Sequence, residues 1–207
     1  RRPPITTLLP YTTLFRSPSR LEIPGEAEFV GRGVSYCATC DAAFFTGKSV
    51  AVVGPGEPAA DAALQLSGLG ASHVRLISRR PVVAPRAVLD KIDSDTVIET
   101  IDDAKPLRIE GGEHVDSLVI ERGSTQESLA VEGVFIEIGS ITADEFAMGL
   151  VEVNDRGEIV IDKSGATSTE GIYAAGDVTD EYGKQIITAA GQGARAAMAA
   201  ARDLKRR

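Results

Sequence analysis

Cys37-Ala38-Thr39-Cys40-Asp41 carries the residues of this chain best suited to moving electrons. Two thiols separated by two residues close a small disulfide ring, and in such a motif one of them is partly thiolate near neutral pH. Asp41 follows directly and is placed to take or give the proton that dithiol chemistry must move. Half of a zinc site and bland surface thiols are the competing readings. A closed structural zinc site needs four ligands, yet beyond the two cysteines the chain has only His73 and His114, neither at finger spacing. A purely structural disulfide around so short a loop gains little chain entropy. Redox chemistry is therefore the favoured reading.

The elements that must position the pair follow it at once. Phe44-Phe45 reads as core packing, with a platform for a partner as the alternative. Ser49-Val50-Ala51-Val52-Val53 is a short continuous apolar run, as in a parallel strand buried on both faces. Gly54-Pro55-Gly56-Glu57-Pro58-Ala59 is a glycine turn, residues 57–69 have helical periodicity ended by Gly68 or Gly70, and residues 73–78 form a second strand. This strand, turn, helix and strand make a right-handed β-α-β unit whose helix start points at a phosphate. Gly54 allows the tight turn, Gly56 lets a pyrophosphate approach bare backbone, and Ala59 in the third place permits close helix packing. Pro is tolerated in the first helical turn.

Where an NAD enzyme carries an acid to hold the ribose hydroxyls, this chain has Ser78-Arg79-Arg80. Two guanidiniums there suit a 2′-phosphate through forked, charge-assisted hydrogen bonds, so the nucleotide is read as NADPH. Arg86 is a third candidate, and a solvated surface charge is the plain alternative for each arginine. Short apolar runs at 96–101, 106–109, 115–121, 128–131 and 133–138 read as a β-meander on one side of the nucleotide unit. Gly139-Ser140 comes after them, at the edge of the nucleotide cleft. Residues 157–162 and 171–177 read as further strands, the second ending in Gly176-Asp177. There the acid can accept hydrogen bonds from a polyol chain, and the glycine leaves room for it. Residues 185–204 read as an Ala-rich helix, with Lys205-Arg206-Arg207 suiting its C-terminal dipole.

The 207 residues allow one large or two small domains, and 43% hydrophobic content suffices for a core. A net charge of -8 and a pI of 4.9 argue against general electrostatic binding to nucleic acid or an anionic membrane. No apolar run reaches the roughly 20 residues of a membrane span. Two cysteines in one redox-type motif fit a reducing cytoplasmic setting. Residues 1–17 share no period with the chain beyond them and lack a small-residue cleavage site, so they read as a foreign leader rather than a signal peptide.

From Gly31 onward the chain resembles the low-molecular-weight thioredoxin reductases of bacteria and archaea, through Cys37-Ala38-Thr39-Cys40-Asp41, the glycine turn, Arg79-Arg80 and Gly176-Asp177 in that order. The resemblance implies an α/β, three-layer FAD/NAD(P)-binding (Rossmann-like) fold. It divides the chain into a leader at 1–20, an NADPH-binding domain with the cysteine pair at 21–140, and the C-terminal part of an FAD-binding domain at 141–207. It implies a flavoenzyme that passes electrons from NADPH through FAD to the Cys37/Cys40 disulfide and on to thioredoxin. Cys40 would face the flavin, Cys37 would exchange with the partner, and Asp41 would be acid and base. Gly54, Gly56 and Ala59 would meet the NADPH pyrophosphate, and Arg79, Arg80 and Arg86 the 2′-phosphate. Gly139, Gly176, Asp177, Lys184, Gln185 and Ile186 would lie along FAD. Pro55 replaces the usual middle glycine of the turn and Ser78 the usual histidine before the arginines. The family's N-terminal FAD half would precede Leu21. The chain as given is therefore expected to bind FAD weakly and not to turn over, and the complete protein is expected to be a homodimer. The alternatives are a flavoprotein reductase serving a peroxiredoxin and a non-catalytic NADPH-binding redox sensor. Flavin-dependent ferredoxin reductases rank low because they have no need of Cys37 and Cys40.

Overall fold

The computed structural model describes residues 16–142 and 149–205. They fall into two compact units, one of Pro18–Gly139 and a second of the described residues outside that range. In chain order β1 (Arg16–Pro18) comes first, then β2 (Val34–Ser35), the short helix α1 (Ala38–Asp41) and a 3-10 turn, Ala42–Phe45. Next come β3 (Ser49–Val53), α2 (Glu57–Gly68), β4 (His73–Ile77), α3 (Arg86–Ser94) and β5 (Ile98–Ile101). β6 (Ala104–Gly111), β7 (Val115–Arg122), β8 (Thr125–Ala130) and β9 (Gly133–Ile136) complete the first unit. β10 (Ser140–Thr142), which pairs with β1, and α4 (Ile186–Leu204) come last.

Five parallel strands in the order β2-β9-β3-β4-β5 form the central sheet. The alternation of side chains along β3 and β4 gives the first unit three layers. Val50, Val52, Val74 and Leu76 pack towards α2 with Ala59, Ala60, Ala63 and Leu66. Ala51, Val53 and Ile77 face the other way, onto Ile109, Leu118 and Ile120 of the antiparallel sheet β6-β7-β8. This is the mixed α/β, Rossmann-like architecture expected from the continuous apolar run of β3 and the helical period after it.

α2 starts beside Pro58 in its first turn. It closes at Gly70, whose φ of 87° lets its N–H reach Ser67 O while Ala71 N–H reaches Leu66 O. Two local readings are corrected. The runs between 96 and 138 are not one meander: β5 joins the edge of the parallel sheet, and β9 inserts between β2 and β3. Every residue of β9 is buried, whereas β8 buries only Leu129, which is why the first needs neighbours on both sides and the second serves as an edge. The segment read only for Arg86 is α3, and its Ile92 is buried.

The second unit has a thin core, in which Ile159 and Val178 are buried with Val151, Ile161 and Ala174 against them. The strands expected at 157–162 and 171–177 do not form. Ile159 makes isolated bridges to Val153 and Thr179, and Tyr173 makes one to Ala166. Segments this short lack a neighbour long enough to continue a ladder. α4 matches the expected Ala-rich helix. Gln185 is its N-cap, in a reciprocal capping box with Thr188, and it buries Gln192, Ala196 and Ala199 along one face. Of the expected leader, residues 1–15 lie outside the described residues, while Arg16 and Ser17 open β1.

Candidate functional site

Cys37 and Cys40 are joined in a disulfide with their Cα atoms 5.3 Å apart. β2 brings the chain out of the central sheet, and Cys37 caps α1, its Sγ accepting from Cys40 N–H at 3.2 Å. Cys37 is half-buried and Cys40 is exposed. Asp41 ends α1, and its carboxylate accepts from Ser35 Oγ at 2.6 Å. The same Ser35 oxygen accepts from Cys37 N–H at 3.1 Å. One buried hydroxyl on β2 therefore holds both the acid and the first cysteine of the pair.

Phe44 and Phe45 part company. Phe45 is buried edge-on against Phe135, with ring centroids 5.0 Å apart, and lies so close to Gly133 that a Cβ there would come within 2.3 Å of its ring. Phe44 is 73% exposed, so packing accounts for only one of the two rings. With Lys48, Asp41 and Ser35 they line an open groove of about 590 Å³.

The glycine turn leaves the C-terminal end of β3, where the strand order reverses: β4 and β5 lie on one side of β3 and β9 on the other. In parallel α/β sheets ligands bind at this switch point. Gly54 is required by contact, since a Cβ there would lie 2.2 Å from Glu137 O and 2.8 Å from Ala59 Cβ. Gly56 is different. It caps α2 with no side chain over the helix end, and the nearest atom to a Cβ there is Pro58 Cδ at 3.6 Å. Ala59 is fully buried under the turn. A cavity of about 490 Å³ beside it is lined by Gly54, Pro55, Ser78, Arg79 and Arg80, and both arginines are exposed. Bare backbone at a helix start beside two guanidiniums suits the pyrophosphate and 2′-phosphate of a dinucleotide. Arg86 is not brought to this cavity; it sits at the start of α3 and pairs with Asp90 at 2.6 Å.

In the second unit, Gly176 takes a φ of 82° and donates its N–H to Gln192 Oε1 at 2.6 Å. Asp177 comes directly after it, half-buried. Lys184 does not extend freely: its Nζ lies 3.3 Å from a carboxylate oxygen of the buried Glu158 and also donates to Thr179 O. Gln185 caps α4, and Ile186 is 89% exposed in its first turn. A Cβ on Gly191 or Gly193 would meet nothing within 4 Å. The N–H groups of a helix start, a neighbouring carboxylate that accepts from hydroxyls, and an exposed apolar side chain suit the polyol and ring portion of a flavin. Gly139, exposed with a φ of 98°, accepts from Ser19 N–H at 2.9 Å.

Three residues that the sequence reading passed over stand at these sites. Ser35 holds Asp41. Ser78, noted only as a departure from a pattern, bonds Asp102 at 3.0 Å. Glu137 accepts from Ala38 N–H at 3.4 Å, and burial raises its carboxyl above the usual 4.5 while that hydrogen bond pulls the other way. Parallel pairing brings Ser78 to Asp102 and Glu137 to Ala38, whereas Ser35 meets Cys37 and Asp41 along its own segment; the sequence trace of each is a polar residue at an apolar run. Among the described residues, no His, Cys, Asp and Glu cluster could hold a metal ion, and no helix is long and apolar enough to cross a membrane.

Residues 16–193 match the family model described as pyridine nucleotide-disulphide oxidoreductase. The chain is 39% identical over 182 residues to the F subunit of alkyl hydroperoxide reductase from Staphylococcus aureus, covering 86% of this chain and 36% of that protein. The structure is similar to thioredoxin reductase from Streptococcus pyogenes, with a TM-score of 0.87, 32% identity, and coverage of 93% of this chain and 64% of that one. For thioredoxin reductase from Giardia duodenalis the TM-score is 0.83 and the identity 33%, with coverage of 92% and 64%. The chain thus spans about a third of the length of the curated relative, 36%, and 64% of either solved structure.

Proposed function

We propose, for a chain that belongs to the pyridine nucleotide-disulphide oxidoreductase family, that Cys37 and Cys40 are the redox-active pair of an NADPH-dependent protein-disulfide reductase. Members of the family use FAD and NAD(P)H. The carrying observation is that one compact unit holds both a C-x-x-C disulfide, with a carboxylate fixed beside it, and a bare glycine turn opening a helix at a sheet switch point. The nucleotide would supply a hydride and the flavin would pass its electrons to sulfur.

The chain's own residues do the rest. Gly54, Gly56 and Ala59 shape the pyrophosphate cradle, and Arg79 and Arg80 take the 2′-phosphate. Arg86, held by Asp90, could join them only by leaving that ion pair. Gly176, Asp177, Gln185 and Ile186 take the flavin, with Gly139 near the segment change and Lys184 bracing the loop before α4 through Glu158. Cys40 receives the electrons, and Cys37 exchanges with the partner's disulfide. Asp41, oriented by Ser35, holds the proton that the leaving thiolate needs.

Exposed Phe44, in the turn that follows the cysteine helix, supports a protein partner, whose reducible disulfide must reach Cys37. Thioredoxin is the first reading, supported by the likeness to thioredoxin reductases. The identity to the F subunit of alkyl hydroperoxide reductase favours a second, a peroxiredoxin-type partner. The full-length gene product is tested with NADPH against thioredoxin and a peroxiredoxin separately. Reduction of either, abolished by Cys40→Ser, supports the reading. Nucleotide binding with neither partner reduced leaves a non-catalytic sensor instead.

A further inference from the structure

Ser78 is the last residue before the arginine pair, and its environment is more constrained than a turn residue requires. It is 2% exposed. Its backbone is pinned on both sides, with Ser78 N–H donating to Ile101 O at 3.1 Å and Ser78 O accepting from Ala104 N–H at 2.9 Å. Its hydroxyl lies 2.5 Å from Arg80 O and 3.0 Å from Asp102 Oδ1. One hydroxyl proton thus serves two acceptors, the carbonyl two residues ahead and a carboxylate just beyond β5. The far end of the turn is pinned as well, because Val83 N–H donates to Pro55 O at 2.9 Å. Between these fixed ends Arg79 and Arg80 project to the surface and line the cavity beside Gly54 and Pro55. The direction in which two consecutive side chains leave a turn is set by its peptide planes, and the Ser78 hydroxyl holds the Arg80 carbonyl that defines one of them.

We propose that Ser78 and Asp102 are positioning residues that set the cavity's preference for a 2′-phosphorylated adenine nucleotide, by locking the Arg79-Arg80 turn so that both guanidiniums meet one phosphate. The inference rests on the reading that these arginines take the 2′-phosphate. Asp102 orients the hydroxyl, and the hydroxyl holds the turn. Both act through the turn: Ser78 is 2% exposed, and Asp102 is not among the residues that line the cavity. The recognition is geometric: two forks aimed at one phosphate discriminate, whereas the same arginines on a loose turn supply only screened charge.

The test is calorimetric titration of the 207-residue chain with 2′,5′-ADP and 5′-AMP, ligands that differ only by the 2′-phosphate. The readout is the ratio of their Kd values. Ser78→Ala and Asp102→Ala each lower this preference about ten-fold while leaving 5′-AMP binding unchanged. Asp102→Asn, which still offers an acceptor oxygen to the hydroxyl, stays within about two-fold of the wild-type ratio. The variant carrying both Arg79→Gln and Arg80→Gln loses the preference altogether. If that variant keeps it, the arginine assignment itself fails and the inference goes with it. If the arginine variant loses the preference but Ser78→Ala and Asp102→Ala retain it, positioning is refuted while the assignment stands. Equal weakening of both ligands by Ser78→Ala overturns the proposal too, since it marks a pocket loosened without selectivity. Should Ser78→Ala not fold, Asp102→Ala with Asp102→Asn decides alone, because Asp102 is only half-buried.

Discussion

Replacing Gly54 and Gly56 separately by alanine should divide the turn's two tasks, building the fold and admitting a phosphate. At Gly54 the new methyl carbon would sit 2.2 Å from Glu137 O and 2.8 Å from Ala59 Cβ. Carbon contacts settle at about 3.5 Å, so the Ala59 contact alone is short by roughly 0.7 Å. Neither wall retreats easily. Glu137 N–H donates to Val53 O at 2.8 Å and Gly54 N–H to Ile77 O at 3.0 Å, so displacing either strand end breaks the register of β9, β3 or β4. Overpacking of this kind costs about 1–3 kcal/mol. At about 4 °C per kcal/mol this lowers Tm by roughly 4–12 °C.

Gly56 has a φ of -123° and a ψ of 178°, extended backbone open to any residue, and the nearest contact of its methyl would be an ordinary 3.6 Å. The small loss of cap preference and the small gain in chain entropy offset each other within about 1 kcal/mol. Gly56→Ala should therefore melt within about 4 °C of wild type. Its methyl nevertheless stands where a phosphate must come close to the backbone that opens α2, and NADP⁺ binding should weaken at least about ten-fold. Thermal denaturation and calorimetric titration with NADP⁺ read the two effects. A Gly54→Ala protein melting with wild type, or a Gly56→Ala protein binding NADP⁺ as wild type does, refutes the reasoning.

Other consequences are as direct. Burial raises the Glu137 carboxyl above 4.5, so its contribution to stability is full below 4.5 and is lost as pH rises through the raised value. Urea denaturation from neutral pH down through that window should show a gain that Glu137→Gln lacks, and parallel profiles would contradict it. Burial first, then the hydrogen bond and charge of Glu26, push the Tyr36 phenol from 10.0 up to about 12. Its contribution is full below 10.0 and is lost as pH rises through about 12, so ultraviolet titration should show a late phenol that Tyr36→Phe removes. Ser35→Ala releases Asp41 and Cys37 N–H together, and should slow reduction of the disulfide by dithiothreitol about ten-fold, approaching the effect of Asp41→Asn. An unchanged rate, measured by quenched thiol alkylation, would remove Asp41 from the proton's path.

What the sequence made legible was local. β3, the glycine turn, α2 and β4 are consecutive, and each carries its own period or punctuation, so they could be read without knowing what lies beside them. The C-x-x-C pair closes on itself for the same reason. Partnership between distant strands was not legible. Gly133-Val134-Phe135-Ile136 and Leu118-Val119-Ile120 look alike as apolar runs, yet one enters a parallel sheet and the other an antiparallel one. The apolar run from Ile172 to Ala175 implied a strand, but beyond the single bridge at Tyr173 the structure pairs none of it. The helix around Arg86 was hidden by its prolines and charges, although Val88 and Ile92 are one turn apart. Glu137 and Asp102 act on residues that neighbouring strands bring to them, and Ser35 on residues that the turn into α1 folds back to it; a single polar letter at a strand end does not announce its partner.

The claim beneath this account is that electrons from NADPH end on the sulfurs of Cys37 and Cys40. It is tested by mixing the full-length gene product anaerobically with FAD and one equivalent of NADPH, quenching with an alkylating reagent, and locating the label by peptide mass spectrometry. The account predicts that both cysteines go from disulfide to labelled thiols as one NADPH is oxidised per pair. NADPH oxidised while Cys37 and Cys40 remain joined would contradict it.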